Sequence, residues 1–380
     1  MSSRVVLLGR NLTGEKHSGE SGSFQNLINK IKEKNDVKIL SIENKNYEKT
    51  DFIARDLFTK KVLRWIRKKY FRMPPSIETV LLQLEIFISL KQDFYKIIKE
   101  FKPDLIIYHK DLAPLGCWIG KKLGIPTILR LHDYEYCYNW KGFDWNPLLK
   151  ISLKIPIPLY KTICKYVLKN SNIIITNSLR TKKIYQKIIN NKNIEVIYPF
   201  VNIEKLKKVK KTGDKILHVT PSKNKGIDIT LDIAEKLPNE KFLIIGPLKG
   251  IKTKEIKKRM EEIKNVDYAG FIPDISDAFS KSKIVLAPSH DEGFGMIVLE
   301  AGINGIPTIS SGKGGLFDST PSSLIVKKNS TEEYIKKINE IEKNPKKFKD
   351  ISIKNAEKKS ADQVFEKLKL LIKTRLEVDL

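Results

Sequence analysis

Apolar residues fall into short unbroken runs, separated by longer stretches in which they recur every three or four positions. In the first half the runs at 5–8, 37–42, 105–108, 127–131, 173–176 and 195–197 predict strands. In the second half 216–219, 242–246, 266–269, 284–287, 308–310 and 324–326 are read as strands, although 266–269 (VDYA) and 308–310 (TIS) are not apolar throughout. Runs that do not alternate with polar residues suit strands buried on both faces, as in a parallel sheet covered by helices. Helical spacing fills the gaps, first at Phe24, Leu27, Ile28 and Ile31, then over 76–101 and 112–123 and after Asn177-Ser178. It resumes at Ile229, Ile233, Ala234 and Leu237, then over 252–263, 296–302 and 363–372. Ser330, with Glu333 three residues on, reads as a capping box opening another helix. Strand and helix alternate twice over, so the pattern predicts an α/β protein of two Rossmann-like parallel-sheet domains. The break falls at Tyr198-Pro199 and the basic, core-free segment 205–215, giving domains 1–204 and 205–349.

Composition changes this picture little, and charge changes it more. At 380 residues and 41% hydrophobic content the chain can bury two ordinary cores. It has no apolar run of about 18 residues that could span a bilayer. MSSRVVLLGR reads as a first strand, not a signal peptide, and the three scattered cysteines suit a reducing cytoplasm. The formal net charge is +27, and 36 Lys+Arg against 18 Asp+Glu lie in residues 1–200. Such a field attracts anionic membranes, phosphorylated acceptors or nucleic acid, although a Lys-, Asn- and Ile-rich composition accounts for part of it. The window 60–73 places Leu63, Ile66, Tyr70 and Met73 at helical spacing among cations. It fits an interfacial helix on an anionic bilayer, or an ordinary amphipathic helix with a solvated basic face. Residues 145–169, apolar and basic with three prolines, read as a broken helix on the sheet or a second membrane-facing element. No nucleic-acid-binding motif is present, so no specific nucleic acid is expected.

Chemistry concentrates at 284–307, IVLAPSHDEGFGMIVLEAGINGIP. A buried strand leads through an acidic, glycine-rich loop into a helix. That order aims the amides around Gly295, Met296 and Ile297, with the positive helix end, at an anion beyond the strand. Glu292 and Glu300 frame this seat. Carboxylates beside a phosphate make sense when the ligand also carries hydroxyls, because carboxylates accept and sugars donate. The plainer alternative is a pair of acids serving the helix dipole. Lys225, with Lys223 beside it, ends the loop after the strand at 216–219 and can balance phosphate charge. His132 stands where a parallel strand ends, the edge on which open α/β sheets bind ligands, although a strand-end histidine is often purely structural. The loop at 9–23 contains Gly22 and is either a phosphate- or acceptor-facing loop or one without a ligand. No metal is assigned, Asp133-Tyr134-Glu135 notwithstanding.

The string PS-x-x-EGFG-x-x-x-LEA, the Lys225-Gly226 pair, the strand ending in Ile245-Gly246 and the downstream Gly-Ile-Pro resemble the retaining glycosyltransferases of family four, which have the GT-B architecture. The resemblance covers most of the chain and is strongest over 216–316. It implies two Rossmann-like domains facing a central cleft that closes over its ligands, with the C-terminal segment 350–380 packing back on the first. It also implies transfer of a sugar from a UDP- or GDP-linked donor to a glycan or polyprenyl-linked acceptor, with no cofactor. By the same resemblance His132 lies at the reaction centre with Glu292, Lys225 reaches the diphosphate, Glu300 holds the ribose, and the main chain near Phe271 meets the base. One departure is plain, since Thr220 stands where the family usually has arginine. A cytoplasmic enzyme, peripheral on the membrane through 60–73, is the resulting expectation. The rival readings are a non-catalytic basic membrane- or nucleic-acid-binding protein on this shell, and a nucleotide-sugar epimerase or a phosphorylase.

Overall fold

A computed structural model of the protein describes residues 2–10, 19–42, 52–54, 75–132, 156–189, 193–201, 206, 209, 212–248 and 253–380. The chain divides into two compact units. One comprises Met1–Asn177, Thr181–Ile197 and Phe365–Leu380, the other Ser178–Arg180 and Tyr198–Val364.

The first unit is built on a seven-stranded sheet. Its strands are β1 (Arg4–Arg10), β2 (Asp36–Ile42), β3 (Phe52–Ala54), β4 (Leu105–His109), β5 (Thr127–Leu131), β6 (Ile173–Thr176) and β7 (Ile194–Val196), in the order β3-β2-β1-β4-β5-β6-β7. Every pairing is parallel. Both faces are therefore covered, and β4 and β5 are buried at every position. Even-numbered positions Val6, Leu8, Ile106 and Tyr108 join one core with the helices Pro75–Phe101, Ala113–Leu123 and Pro156–Asn170. Tyr108 is fully buried there, and its hydroxyl is 2.8 Å from Ser171 Oγ, which in turn donates to the Val167 carbonyl. Burial holds the phenol well above its ordinary pKa, so it stays neutral.

The second unit repeats the plan with five parallel strands, β8 (Lys215–Val219), β9 (Phe242–Ile245), β10 (Val266–Gly270), β11 (Ser282–Ala287) and β12 (Thr308–Ser310), ordered β10-β9-β8-β11-β12. In both sheets the winding reverses once, between β1 and β4 and between β8 and β11. Loops leaving the carboxyl ends at such a reversal diverge, which opens the crevice where this class of sheet binds ligands.

Some expectations needed correction. Gly22 does not sit in a loop, because the helix Gly19–Lys32 already begins at Gly19 and its first turn absorbs the Gly/Ser run. Residues 324–326 form no strand. Ser322–Leu324 is a short 3-10 turn, and Ile325 makes only an isolated bridge to Ser310. Ser330 is the N-cap of Thr331–Lys343, yet its hydroxyl makes no capping bond. The C-terminal segment 350–380 is not one helix: Pro345–Glu357, started by its own proline, is followed by Ala361–Leu376, and of that segment Phe365–Leu380 belongs to the first unit. The basic window at 60–73 lies outside the described residues, as does Cys137. Cys117 and Cys164 are buried thiols.

The first core leaves no slack where the helix Ala113–Leu123 crosses β4. A Cβ added to Gly116 would stand 2.5 Å from Tyr108 Cδ1 and 3.0 Å from Leu8 Cδ1. Gly116→Ala is expected to lower unfolding free energy by about 1–3 kcal/mol, the usual cost of overpacking, measured by urea denaturation.

Candidate functional site

The site grows out of the reversal in the second sheet. The loop after β8 carries Lys223–Lys225 as one 3-10 turn and ends at Gly226, whose φ of +70° opens the helix Ile227–Lys236. The loop after β11 carries His290 to Phe294 and ends at Gly295, whose φ of +88° opens the helix Met296–Ile303. Adjacent parallel strands thus place two loops, 67 residues apart in sequence, side by side. Lys225 Nζ donates a hydrogen bond to Glu292 Oε2, and both side chains are partly buried. Lys223, in the same turn, is exposed.

Close backbone packing fixes the acidic loop. The His290 amide donates to the Asn224 carbonyl (2.9 Å), tying the two loops directly. The Gly315 amide donates to the Glu292 carbonyl at 2.7 Å. Ser311 Oγ donates to the Ser289 carbonyl at 2.6 Å, and Asn329 Nδ2 to the Pro288 carbonyl at 3.1 Å. Three glycines allow this approach. A Cβ at Gly226, Gly314 or Gly315 would stand 2.1–2.2 Å from the carbonyl oxygens of Pro288, Glu292 and Gly293 respectively. The Gly314-Gly315 doublet, Asn224, Ser311 and Asn329 were not anticipated as site residues. Only the doublet, in the glycine-rich loop after Thr308–Ser310, carried a signal.

The amides of Met296 and Ile297 lie in the first turn of their helix, where no carbonyl precedes them to bond. Glu300, one turn farther on, is partly buried, and desolvation pushes its carboxyl up to about 7. Phe271 follows β10 with its side chain 72% exposed, an apolar ring held in solvent next to the positive-φ Gly270. Thr220, in the place of the family's arginine, has φ +62°, a region a β-branched residue rarely occupies. Its amide is held by the Ile245 carbonyl at 2.8 Å. His218 on β8 is buried, bonds Thr230 Oγ1 through Nδ1, and is pushed down to about 3 by burial and by the Lys225 charge. It is neutral beneath the loop.

In the first unit the reversal collects a different set. His132 follows β5 and is buried. Its ring lies 5.4 Å from that of His109, which ends β4, and its carbonyl accepts a hydrogen bond from Asn177 Nδ2. Arg130, also buried, donates to Ser23 Oγ at 2.7 Å and lies over the Phe24 ring. His109 and Arg130 had not been singled out in the sequence. Gly22 is adjacent in sequence to this group, and nothing lies within 4 Å of where its Cβ would be. Among the described residues, no three His, Cys, Asp or Glu side chains gather as a metal site.

The raised Glu300 carboxyl gives a directional test. The folded chain holds its proton more tightly than the unfolded chain, whose value is near the ordinary 4.5. Between about pH 4.5 and 7 the unfolded state therefore binds fewer protons, and stability falls as pH rises. Glu300→Gln is expected to flatten that fall, up to about 1.4 kcal/mol per pH unit, in denaturant titrations at pH 5, 6 and 7.

Comparison with known proteins agrees with this geometry. The family model for glycosyl transferases group 1 matches residues 202–359, and that for glycosyltransferase family 4 matches residues 51–205. An uncharacterized glycosyltransferase of Haemophilus influenzae is 26% identical over 310 residues, covering 76% of this chain and 82% of its own. Among solved structures, HepE of Anabaena in complex with UDP superposes with a TM-score of 0.70 at 15% identity, covering 98% of this chain and 100% of its own. Sucrose-phosphate synthase of Thermosynechococcus elongatus gives a TM-score of 0.70 at 15% identity, with 98% coverage of both chains. Those structural likenesses speak for the fold, and the two family models, side by side along the chain, speak for the lineage. The chain belongs to glycosyltransferase family 4, the glycosyl transferases group 1, and has the GT-B fold.

Proposed function

We propose that this glycosyltransferase moves a sugar from a UDP- or GDP-linked donor to a hydroxyl of a glycan or polyprenyl-linked acceptor, with retention at the anomeric carbon. The observation that carries the reading is the meeting of Lys225 and Glu292 at the sheet reversal, beside the amide end of the helix Met296–Ile303. A cation and free amides suit a diphosphate, and an acceptor-only carboxylate suits sugar hydroxyls. The binding of UDP by HepE, a protein of the same fold, supports a uridine donor as the first to try.

The difficult step is departure of the diphosphate from a carbon that becomes cationic in character. Lys225 and the Met296 and Ile297 amides are assigned the negative charge that grows on the leaving group. Such preorganised electrostatics usually contributes most to a rate. Glu292 is assigned the donor-sugar hydroxyls, Glu300 the ribose, the main chain at Phe271 the base, and His132 the orientation of the sugar or acceptor. No glutamate nucleophile and no metal are assigned. The departing phosphate takes the acceptor's proton. The enzyme is placed in the cytoplasm, peripheral to the membrane, in the assembly of a surface polysaccharide, glycolipid or protein glycan.

A panel of nucleotide sugars screened by thermal shift identifies the donor, and acceptor-dependent release of the nucleotide diphosphate then measures transfer. Glu292→Gln is expected to lower kcat by about 100-fold or more with an unchanged melting temperature. Lys225→Ala is expected to weaken nucleotide-diphosphate binding by about tenfold, a lost charged hydrogen bond being worth roughly 1.5–3 kcal/mol. Full transfer by Glu292→Gln would overturn the assignment.

A further inference from the structure

Three helices on one side of the first sheet share a surface that the donor site does not explain. The helix Pro156–Asn170 has no acidic residue and exposes Lys161, Lys165 and Lys169 along one side. Leu159 and Tyr166, two turns apart, stand beside them at 45% and 42% exposure. Between Trp145 and Ile194 the chain has ten Lys and Arg and no Asp or Glu. The neighbouring helix Ala113–Leu123, also free of acids, continues the surface. Its Lys121 lies 5.6 Å over the Tyr166 ring, and its Lys122 lies 4.6 Å over Tyr95 and 5.0 Å over Trp118. Trp118 sits edge-on to Phe87, 5.7 Å away, and so reaches the third helix, Pro75–Phe101. There the side bearing Leu84, Phe87, Ile88, Lys91, Tyr95 and Lys99 contains no acid, and Ile88 is 70% exposed. Of the four acids of that helix, Glu85, Asp93 and Glu100 lie in the stretch 83–101 that carries this surface, and they fall on other sides of its wheel.

We propose that this three-helix surface docks the enzyme on an anionic lipid bilayer. Lysines interleaved with tyrosine, tryptophan and exposed aliphatic side chains are the chemistry of a membrane interface. The cations meet the headgroups, the aromatic rings lie at the boundary, and Ile88 and Leu159 enter the acyl edge. Single-stranded nucleic acid would call for bare aromatic faces on which bases can stack. Here Lys121 and Lys122 already cover three of the rings. The residues named for this surface lie outside 60–73, and the proposal stands whether or not the donor assignment holds.

The test is sedimentation of the full chain with phosphatidylglycerol–phosphatidylcholine vesicles and with phosphatidylcholine vesicles alone. Binding to the anionic vesicles only is expected. The triple variant Lys161→Gln, Lys165→Gln, Lys169→Gln is expected to lower partitioning by about 100-fold, at about fivefold for each lysine near an anionic leaflet. Leu159→Ser with Tyr166→Ser is expected to lower it by about tenfold, with the melting temperature and UDP binding of both variants unchanged. A control variant removes equal charge from exposed positions of the second unit, Lys343→Gln, Lys346→Gln, Lys347→Gln, and is expected to bind as the parent does. Absence of binding by the parent overturns the proposal, as does undiminished binding of the lysine variant. Equal loss in the control also overturns it, by assigning the effect to net charge alone. So does a dimer in sedimentation velocity that the Leu159/Tyr166 variant abolishes, because the surface then belongs to a second copy.

Discussion

Everything chemical in the second unit depends on β8 and β11 being neighbours. Parallel strands adjoin here although three helices and two strands separate them in sequence, because the winding of the sheet reverses between them. That adjacency brings the ammonium of Lys225 to the carboxylate of Glu292 and ties Asn224 to His290. Neither loop holds its shape alone. The acidic loop is clamped by hydrogen bonds from the loops that follow β8 and β12 and from Asn329. The clamp closes only because Gly226, Gly314 and Gly315 let carbonyl oxygens come within the space of a methyl group. The acidic loop is thus held through its main chain, by partners from three other segments.

The first unit uses the same winding for a different purpose. Its reversal gathers His109, Arg130 and His132 against Ser23 and Phe24 of the helix Gly19–Lys32. Strand alternation sends the odd- and even-numbered positions of β4 to opposite faces. Tyr108 therefore serves the core with Gly116 while His109, one residue on, serves the edge. One strand positions both a packing constraint and a polar group.

Much of this was legible in the sequence, for identifiable reasons. Strands buried on both faces announce themselves as unbroken apolar runs, and the centre of each sheet was readable from them, whereas the edge strand β3 was not anticipated. Lys225, Glu292 and Glu300 were readable because a strand, a glycine loop and a helix are contiguous in the chain. That Lys225 and Glu292 touch was not readable, since contact depends on strand order and no local pattern encodes it. His109 escaped for the same reason, as its neighbour His132 is 23 residues away. Gly22 was misplaced because glycine and serine disfavour helices locally, whereas burial of Phe24, Leu27, Ile28 and Ile31 decides the segment. Ser330 had the right spacing for a capping box, but spacing does not fix a hydroxyl rotamer.

Glu300 is only partly buried by surface area, yet desolvation raises its carboxyl to about 7. A guest that donates a hydrogen bond to it favours the ionised form and expels a proton, and a guest that brings negative charge near it retains one. Affinity for any guest that reaches this carboxyl is then thermodynamically tied to acidity, and such binding exchanges a fraction of a proton with the buffer. Heats of association measured in buffers of different ionisation enthalpy will differ by that fraction, so the donor's intrinsic enthalpy emerges only on extrapolation across them.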